Sequence, residues 1–484
     1  MRTSLVVCPQ WDSTLPALPL ALLAARLRAE GHEVDIFDMN KELSRRGQAA
    51  CDPDFRQFPT LDTAWTDRDS TAGRIIPAYQ GHFDSFVSAV LASGARVAGF
   101  TTYFSNSVMS LHVAGMLKKR DPKLLVVFGG PACSKFHDCL DFLKTGSVDA
   151  VFHGEADHTF PRFMERLAAT GKAQAEPGVL LRDDPSTWKD ELGACPDLEH
   201  LPFADFTGFH LPDYRGKTIQ SCRGCIRSCV FCDWGKRKEY RRMTGRRVHA
   251  EIVHQLRRDP EVTHFFFCDS LTNGAIPELS SFCDAVIADG LALSWEGYAI
   301  VREEMSPGLL RKMRQAGCRL LIYGIESGSA RVLKDMRKYS APELNARVLR
   351  DTAAAGIGVV TALMVGFPTE TEQDFEETLT FIRSNSGHAR ILAPSLFTIH
   401  ELLGMPDRYG LAPADDVLYW RTRDGRNTFP ARVERLRRLF DTAASCGVRV
   451  DFEGRVSAVS MASYFDSFLE RYRHWEEYRT GRRA

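Results

Sequence analysis

A chain of 484 residues, 44% hydrophobic and 26% charged, has a globular composition and room for two to four domains. Its 62 Lys and Arg balance 62 Asp and Glu, so there is no global basic field to hold nucleic acid or an anionic membrane, and a small molecule or peptide is the expected partner. No secretory signal is expected, the apolar stretch at 15–25 is shorter than the roughly 20 residues that span a bilayer, and thirteen cysteines in that context fit a reducing, cytoplasmic setting better than a disulfide scaffold.

In chain order, short apolar runs at 4–8, 33–38, 96–102, 124–128 and 149–152 predict strands. Helical periodicity predicts helices at 18–30, stopped by Gly31, and at 107–119. The segment 41–75 is polar with weak periodicity and reads as an insertion or long loop. Strands alternating with helices predict a doubly wound parallel α/β domain over 1–182. Residues 183–216, with Pro185, Pro196, Pro202 and Pro212, read as a linker. A second alternating series has strand candidates at 218–220, 264–267, 293–298, 319–323, 358–365 and 395–399. Six parallel strands with crossover helices predict a partial (β/α)6 barrel over 217–400, whose site lies at the carboxyl ends of the strands. The remaining segment, 401–484, is charged and mainly helical in pattern from about residue 430.

Four of the thirteen cysteines lie within 222–232. Cys225, Cys229 and Cys232, separated by three and two residues, form a tight loop in which each thiolate can hold one iron of a [4Fe–4S] cluster, leaving the fourth iron open. A zinc site and a redox dithiol are the competing readings. Cys222/Cys225 and Cys229/Cys232 do make two Cys-x-x-Cys pairs, but they are only three residues apart, against about 15–20 in zinc ribbons. Cys222 at the open iron would block it, so it reads as a supporting or structural thiol beside the cluster, with a specialised catalytic role as the lesser alternative.

Later turns supply polar groups. Asp269, in the stretch 267–273, either meets a ligand or, with Ser270 as the other candidate, caps a helix. In 324–329, Gly324 and Gly328 let backbone approach a ligand while Glu326 and Ser327 offer acceptors to ribose hydroxyls; a plain glycine turn explains the same residues. Gly366 opens a turn at 366–370 that equally reads as a strand-to-helix connection capped by Thr369 or Thr371. The basic run 236–247 is either a solvated face or, through Arg241 and Arg242, a dock for an acidic electron donor such as flavodoxin.

The Cys-x-x-x-Cys-x-aromatic-Cys pattern, with Phe231 before the last cysteine, resembles the signature of the radical SAM superfamily. The elements at 324–329 and 366–370 also resemble those of that family, in its order, over about 218–400. The resemblance implies a [4Fe–4S] cluster on Cys225, Cys229 and Cys232, with S-adenosylmethionine (SAM) near Glu326, Ser327 and Gly366; Asp269, from its place at a strand end, is a further SAM candidate. It further implies a 5′-deoxyadenosyl radical made from that SAM. Residues 8–12, 99–105, 128–132 and 153–155 resemble the Rossmann-like cobalamin-binding domain that precedes many radical SAM domains. That implies cobalamin near Thr101, Thr102, Ser105, Gly129, Gly130 and Glu155. None of the fourteen histidines has Asp two residues before it, so no histidine ligand to cobalt is expected.

Together these resemblances imply a cobalamin-dependent radical SAM methyltransferase acting on an unactivated carbon of a small-molecule or peptide substrate through methylcobalamin and the deoxyadenosyl radical. No catalytic side chain is assigned. The alternatives are a cobalamin-dependent cyclase, ring-contraction or rearrangement enzyme, a cobalamin-free radical SAM enzyme, and a non-catalytic zinc-binding regulator. Methylthio transfer is disfavoured because there is no second three-cysteine group.

Overall fold

Side chains of β1 (Arg2–Val7) alternate between two apolar layers, Leu5 and Val7 into one and Val6 and the following Cys8 into the other. A strand buried on both faces belongs in a parallel sheet covered by helices on both sides. The computed structural model describes residues 1–43, 71–232, 239–402, 404–414, 416–450 and 461–479. They form two units, Met1–Ile219 with Glu251–His264, and Gln220–Ala250 with Phe265–Ala484.

In the first unit the sheet order is β2-β1-β3-β4-β5-β6, with β2 Glu33–Asp38, β3 Val97–Thr101, β4 Leu125–Gly129, β5 Ala150–Phe152 and β6 Val179–Leu181. β1 to β5 pair in parallel and β6 closes the edge antiparallel. Helices Leu18–Ala29 and Thr159–Thr170 cover the Leu5 face. Ile76–Ala92, Ser107–Arg120 and Phe136–Lys144 cover the Val6 face. This is the doubly wound fold expected, and strand order reverses between β1 and β3, so their carboxyl ends frame the crevice where such sheets bind ligands. The long loop expected at 41–75 falls mostly outside the described residues. Its end, Thr71–Ile75, is a π-helical turn running into the helix Ile76–Ala92, which was not anticipated. Residues 183–216 make short 3₁₀ turns and belong to the first unit, as does β7 (Lys217–Ile219).

The second unit opens with a two-stranded ribbon, β8 (Cys222–Arg223) against β9 (Arg241–Arg242). Its main sheet then runs β10 (His264–Phe267), β11 (Ser294–Ala299), β12 (Cys318–Glu326), β13 (Gly358–Val365), β14 (Ile391–Leu396) and β15 (Arg449–Val450), each beside the next. β11 to β15 pair in parallel. The strand expected at 395–399 begins earlier, at Ile391, and β15 extends the sheet beyond the expected six-strand series. Helices Phe429–Ser445 and Met461–Arg479 account for the helical C-terminal pattern.

Candidate active site

The cysteine loop hangs from a buried carboxylate. Asp269, just past β10, accepts hydrogen bonds from Ser221 N (2.8 Å), Ser221 Oγ (2.5 Å) and Cys222 N (3.1 Å). Burial pushes its pKa up to about 6. Neither Asp269 nor Ser270 caps a helix, since the next one starts at Ile276. Cys222 is buried and donates its thiol to Leu271 O at 3.3 Å, and burial raises its pKa far above the ordinary thiol range. Its thiol is thus taken up inside the protein.

From there the chain turns at Gly224, whose φ is +82°. Cys225 and Cys232 are partly exposed, Cys229 is buried, and none is in a disulfide. The loop is held by Cys232 N donating to Cys229 O (3.2 Å) and Val230 N donating to Met336 O (3.0 Å), while Arg227 N donates to Cys225 Sγ (3.4 Å). Burial pushes the Cys229 thiol up to about 11, with Lys338 opposing and Cys232 and Cys225 reinforcing the rise. An all-sulfur donor set on one loop suits iron–sulfur chemistry rather than a hard cation. Among the described residues no three His, Cys, Asp or Glu side chains converge on a single metal ion.

Glu326 ends β12 at a bulge, where the pairing with β13 skips a residue between Gly324 and Glu326. Its φ of +66° is left-handed, an uncommon state for a residue with a side chain. The bulge aims its carboxylate at Lys338 Nζ, 2.7 Å away, with both side chains almost buried. Burial pushes the Lys338 ammonium down, but Glu326 outweighs it and the group ends above the ordinary lysine range. The ion pair explains the glycine before it: a Cβ on Gly324 would run into Glu326 Oε1 and lie 2.8 Å from Lys338 Nζ. Gly328 is likewise occupied by the protein itself, since a Cβ there would sit 2.6 Å from Thr378 Cα. Ser327 is fully buried, with its hydroxyl shared between Thr378 Oγ1 (3.2 Å) and Ser329 N (3.1 Å).

Gly366 also sits in a protein clamp. Its φ is +90°, its N–H donates to Glu370 Oε2 (2.9 Å), and a Cβ would collide with Arg432. Glu370 is pushed up to about 7 by burial, although Arg435 Nη1 lies 3.1 Å from it. Arg432 is buried over the Trp420 ring, 3.9 Å from its centroid, and donates to Trp420 O and Leu418 O. The helix after this turn is capped by Thr371, reciprocally with Asp374, while Thr369 bonds Asp335.

In the first unit, three of the small residues at the strand ends are tied to one another. Thr102 donates its N–H (2.7 Å) and hydroxyl (2.8 Å) to Gly129 O, and a Cβ on Gly130 would lie 2.8 Å from Thr102 O. Ser105 Oγ donates to Gln10 O at 2.8 Å. Glu155 lies nearly buried just after β5. Thr101 differs: its hydroxyl is buried without a hydrogen-bond partner. So are Gln10 Nε2, three residues past β1, and Asn40 Nδ2, two residues past β2. Three orphaned polar groups therefore stand at the carboxyl ends of three neighbouring strands. Such groups cost about 1–3 kcal/mol each unless something satisfies them. Gln10 falls within the stretch 8–12 noted above but was not singled out, and Asn40 was missed, because single amides in loops carry no pattern; their place just after strands was the available signal.

A three-cysteine loop opening a parallel α/β sheet, with a glycine-flanked acidic bulge on a central strand, is the architecture of a radical SAM domain. The radical SAM superfamily model matches residues 219–382 of the chain. The chain's fold resembles that of solved cobalamin-dependent radical SAM enzymes. The structure of the radical S-adenosylmethionine methyltransferase TsrM from Kitasatospora setae, with cobalamin and a [4Fe–4S] cluster bound, superposes with a TM-score of 0.65 at 15% identity, covering 98% of this chain and 99% of that one. In sequence, cytidylyl-2-hydroxyethylphosphonate methyltransferase of Streptomyces wedmorensis is 25% identical, over 84% of this chain and 80% of its own length. An uncharacterized methyltransferase of Pyrococcus horikoshii is 23% identical, over 59% of this chain and 64% of its own. Among the described residues no helix is long and apolar enough to cross a membrane.

Proposed function

We propose that the chain is a cobalamin-dependent radical SAM methyltransferase that methylates an unactivated carbon of a small-molecule or peptide substrate. The observation that carries this reading is the trio of orphaned groups, Gln10 Nε2, Asn40 Nδ2 and Thr101 Oγ1, in a chain that also holds the cysteine loop. Cobalamin is rich in amide groups that can satisfy all three, and the names of TsrM and the methyltransferase relatives support the same reading. In it, residues 1–182 are the corrin-binding domain, 183–216 the linker, 217–400 the radical domain and 401–484 the C-terminal segment.

The bound groups would supply a radical generator, from the cluster and SAM, and a methyl carrier, from the corrin. The chain's own part is to bind and orient. Cys225, Cys229 and Cys232 hold the cluster. Glu326, fixed by Lys338, is the acceptor available to SAM. Ser327, Asp269 and Gly366 shape its surroundings through the backbone they brace. Thr102, Ser105, Gly129, Gly130 and Glu155, at or just after the ends of neighbouring strands, are the further candidates for contact with the corrin. A low-potential, flavodoxin-like donor in the cytoplasm would supply electrons. Charge reversal at Arg241 and Arg242 should raise its KM while leaving dithionite-driven activity unchanged; an equal fall in both would remove the docking role.

The test is anaerobic reconstitution of the full chain with iron, sulfide and cobalamin, then desalting and visible spectroscopy. The reading predicts near-stoichiometric corrin, lowered at least several-fold by the double change Gln10→Ala and Asn40→Ala. No retained corrin in the unaltered chain would overturn it. A product heavier by one methyl group separates methylation from cyclisation or rearrangement.

A further inference from the structure

The three non-glycine residues with left-handed φ among the described residues are Glu326 (+66°), Arg337 (+53°) and Tyr339 (+55°). Two of them flank Lys338 and the third is its ion-pair partner. Left-handed backbone is unfavourable for such residues and persists only where surrounding structure enforces it. Here it turns Lys338 inward from the segment after the helix Ala330–Asp335. The same segment grips the cysteine loop, because Val230 N, between Cys229 and Phe231, donates to Met336 O. Lys338 Nζ lies 5.9 Å from the Phe231 ring centroid, one residue before Cys232. On the outer side Arg227 of the loop stacks on Tyr339, 5.5 Å from its ring.

We propose that Lys338 is a positioning residue of the cluster site, a nearly buried cation that holds the Glu326 carboxylate in place and favours the one-electron-reduced state of the cluster borne by Cys225, Cys229 and Cys232. This rests on the radical SAM reading of that loop. Reduction adds one electron from a low-potential donor, dithionite or a flavodoxin-class protein, and makes the cluster one charge more negative with no bond made or broken. A fixed cation nearby stabilises that extra charge, and a fixed carboxylate opposes it. The two partners should therefore act with opposite sign.

The experiment uses the full chain reconstituted anaerobically with iron and sulfide. Iron and sulfide are counted, and the cluster is titrated reductively under electron paramagnetic resonance, without substrate. In Lys338→Met the ratio of reduced to oxidised cluster at a fixed potential should fall at least ten-fold, which for one electron is 59 mV. Glu326→Gln should move the ratio the other way, and Lys338→Arg should return it to within about two-fold of the unaltered chain. If Lys338→Met fails to take up iron, Glu326→Gln decides, and an unchanged or lowered ratio overturns the proposal. Shifts of the same sign, or none, in variants with full iron also overturn it while leaving the cluster reading intact. An unaltered chain that takes up no iron and sulfide overturns both.

Discussion

Gly324→Ala probes the glycine element on β12 most sharply. The added methyl group would meet Glu326 Oε1 and lie 2.8 Å from Lys338 Nζ. Both atoms end flexible side chains, so the methyl is accommodated only if the pair parts. The two side chains are 11% and 10% exposed, leaving little solvent to replace the lost contact. At 2.7 Å the attraction is about 6 kcal/mol for an effective dielectric constant of about 20, and at about 4 Å it is about 4 kcal/mol. The difference of about 2 kcal/mol agrees with the 1–3 kcal/mol typical of an overpacked interior. Urea unfolding of the cofactor-free chain should show this loss as a lower midpoint at unchanged slope. In a Lys338→Met background there is no pair to part, and the same methyl should cost less than about 1 kcal/mol. Equal costs in both backgrounds, additive within about 0.5 kcal/mol, would refute the assignment of Gly324 to the ion pair.

The buried carboxyl of Asp269 makes stability pH-dependent. Its pKa is raised from 3.8 to about 6, so the folded chain holds the proton more tightly than the unfolded one. That contribution is fully present below about pH 4 and lost as pH rises through about 6, roughly 3 kcal/mol in all. Asp269→Asn, which keeps an acceptor for Ser221 N and Cys222 N, should flatten the unfolding profile over that window; an unaltered slope would contradict the burial account. Cys222 and Cys229 should separate in iron analysis of the reconstituted chain. Cys222→Ala should keep its full complement and Cys229→Ala should lose most of it, whereas iron loss in Cys222→Ala would return Cys222 to the ligand set.

The alternation of strands and helices was legible because it is local, and so was the cysteine loop, whose chemistry lies in spacing alone. Failures have physical causes. β14 begins at Ile391, but Pro394 inside it lacks an N–H and masks the strand's first half. β6 and β15, of three and two residues, are too short for any periodic signal. The helix Ile76–Ala92 was readable from Tyr79, Phe83, Phe86, Val87 and Val90, yet Pro77 and Gly81 obscure its start. Lys338 sits beside Arg337 and reads as part of a solvated charged run; only the turn after Ala330–Asp335 brings it back to Glu326. Arg432, in a highly charged helix, reads the same way but is buried over Trp420 against Gly366. The glycines at 324, 328 and 366 were legible as necessary, but what they make room for is the protein's own side chains and backbone.

The most direct test of the central claim is to incubate the chain, reconstituted anaerobically with iron, sulfide and cobalamin, with SAM and a low-potential reductant and to quantify 5′-deoxyadenosine and S-adenosylhomocysteine. A cobalamin-dependent radical methyltransferase should form both, the homocysteine product reporting methyl transfer and the deoxyadenosine reporting the radical. Deoxyadenosine without S-adenosylhomocysteine would contradict the methyltransferase, and neither product from an iron-loaded chain would contradict the radical enzyme altogether.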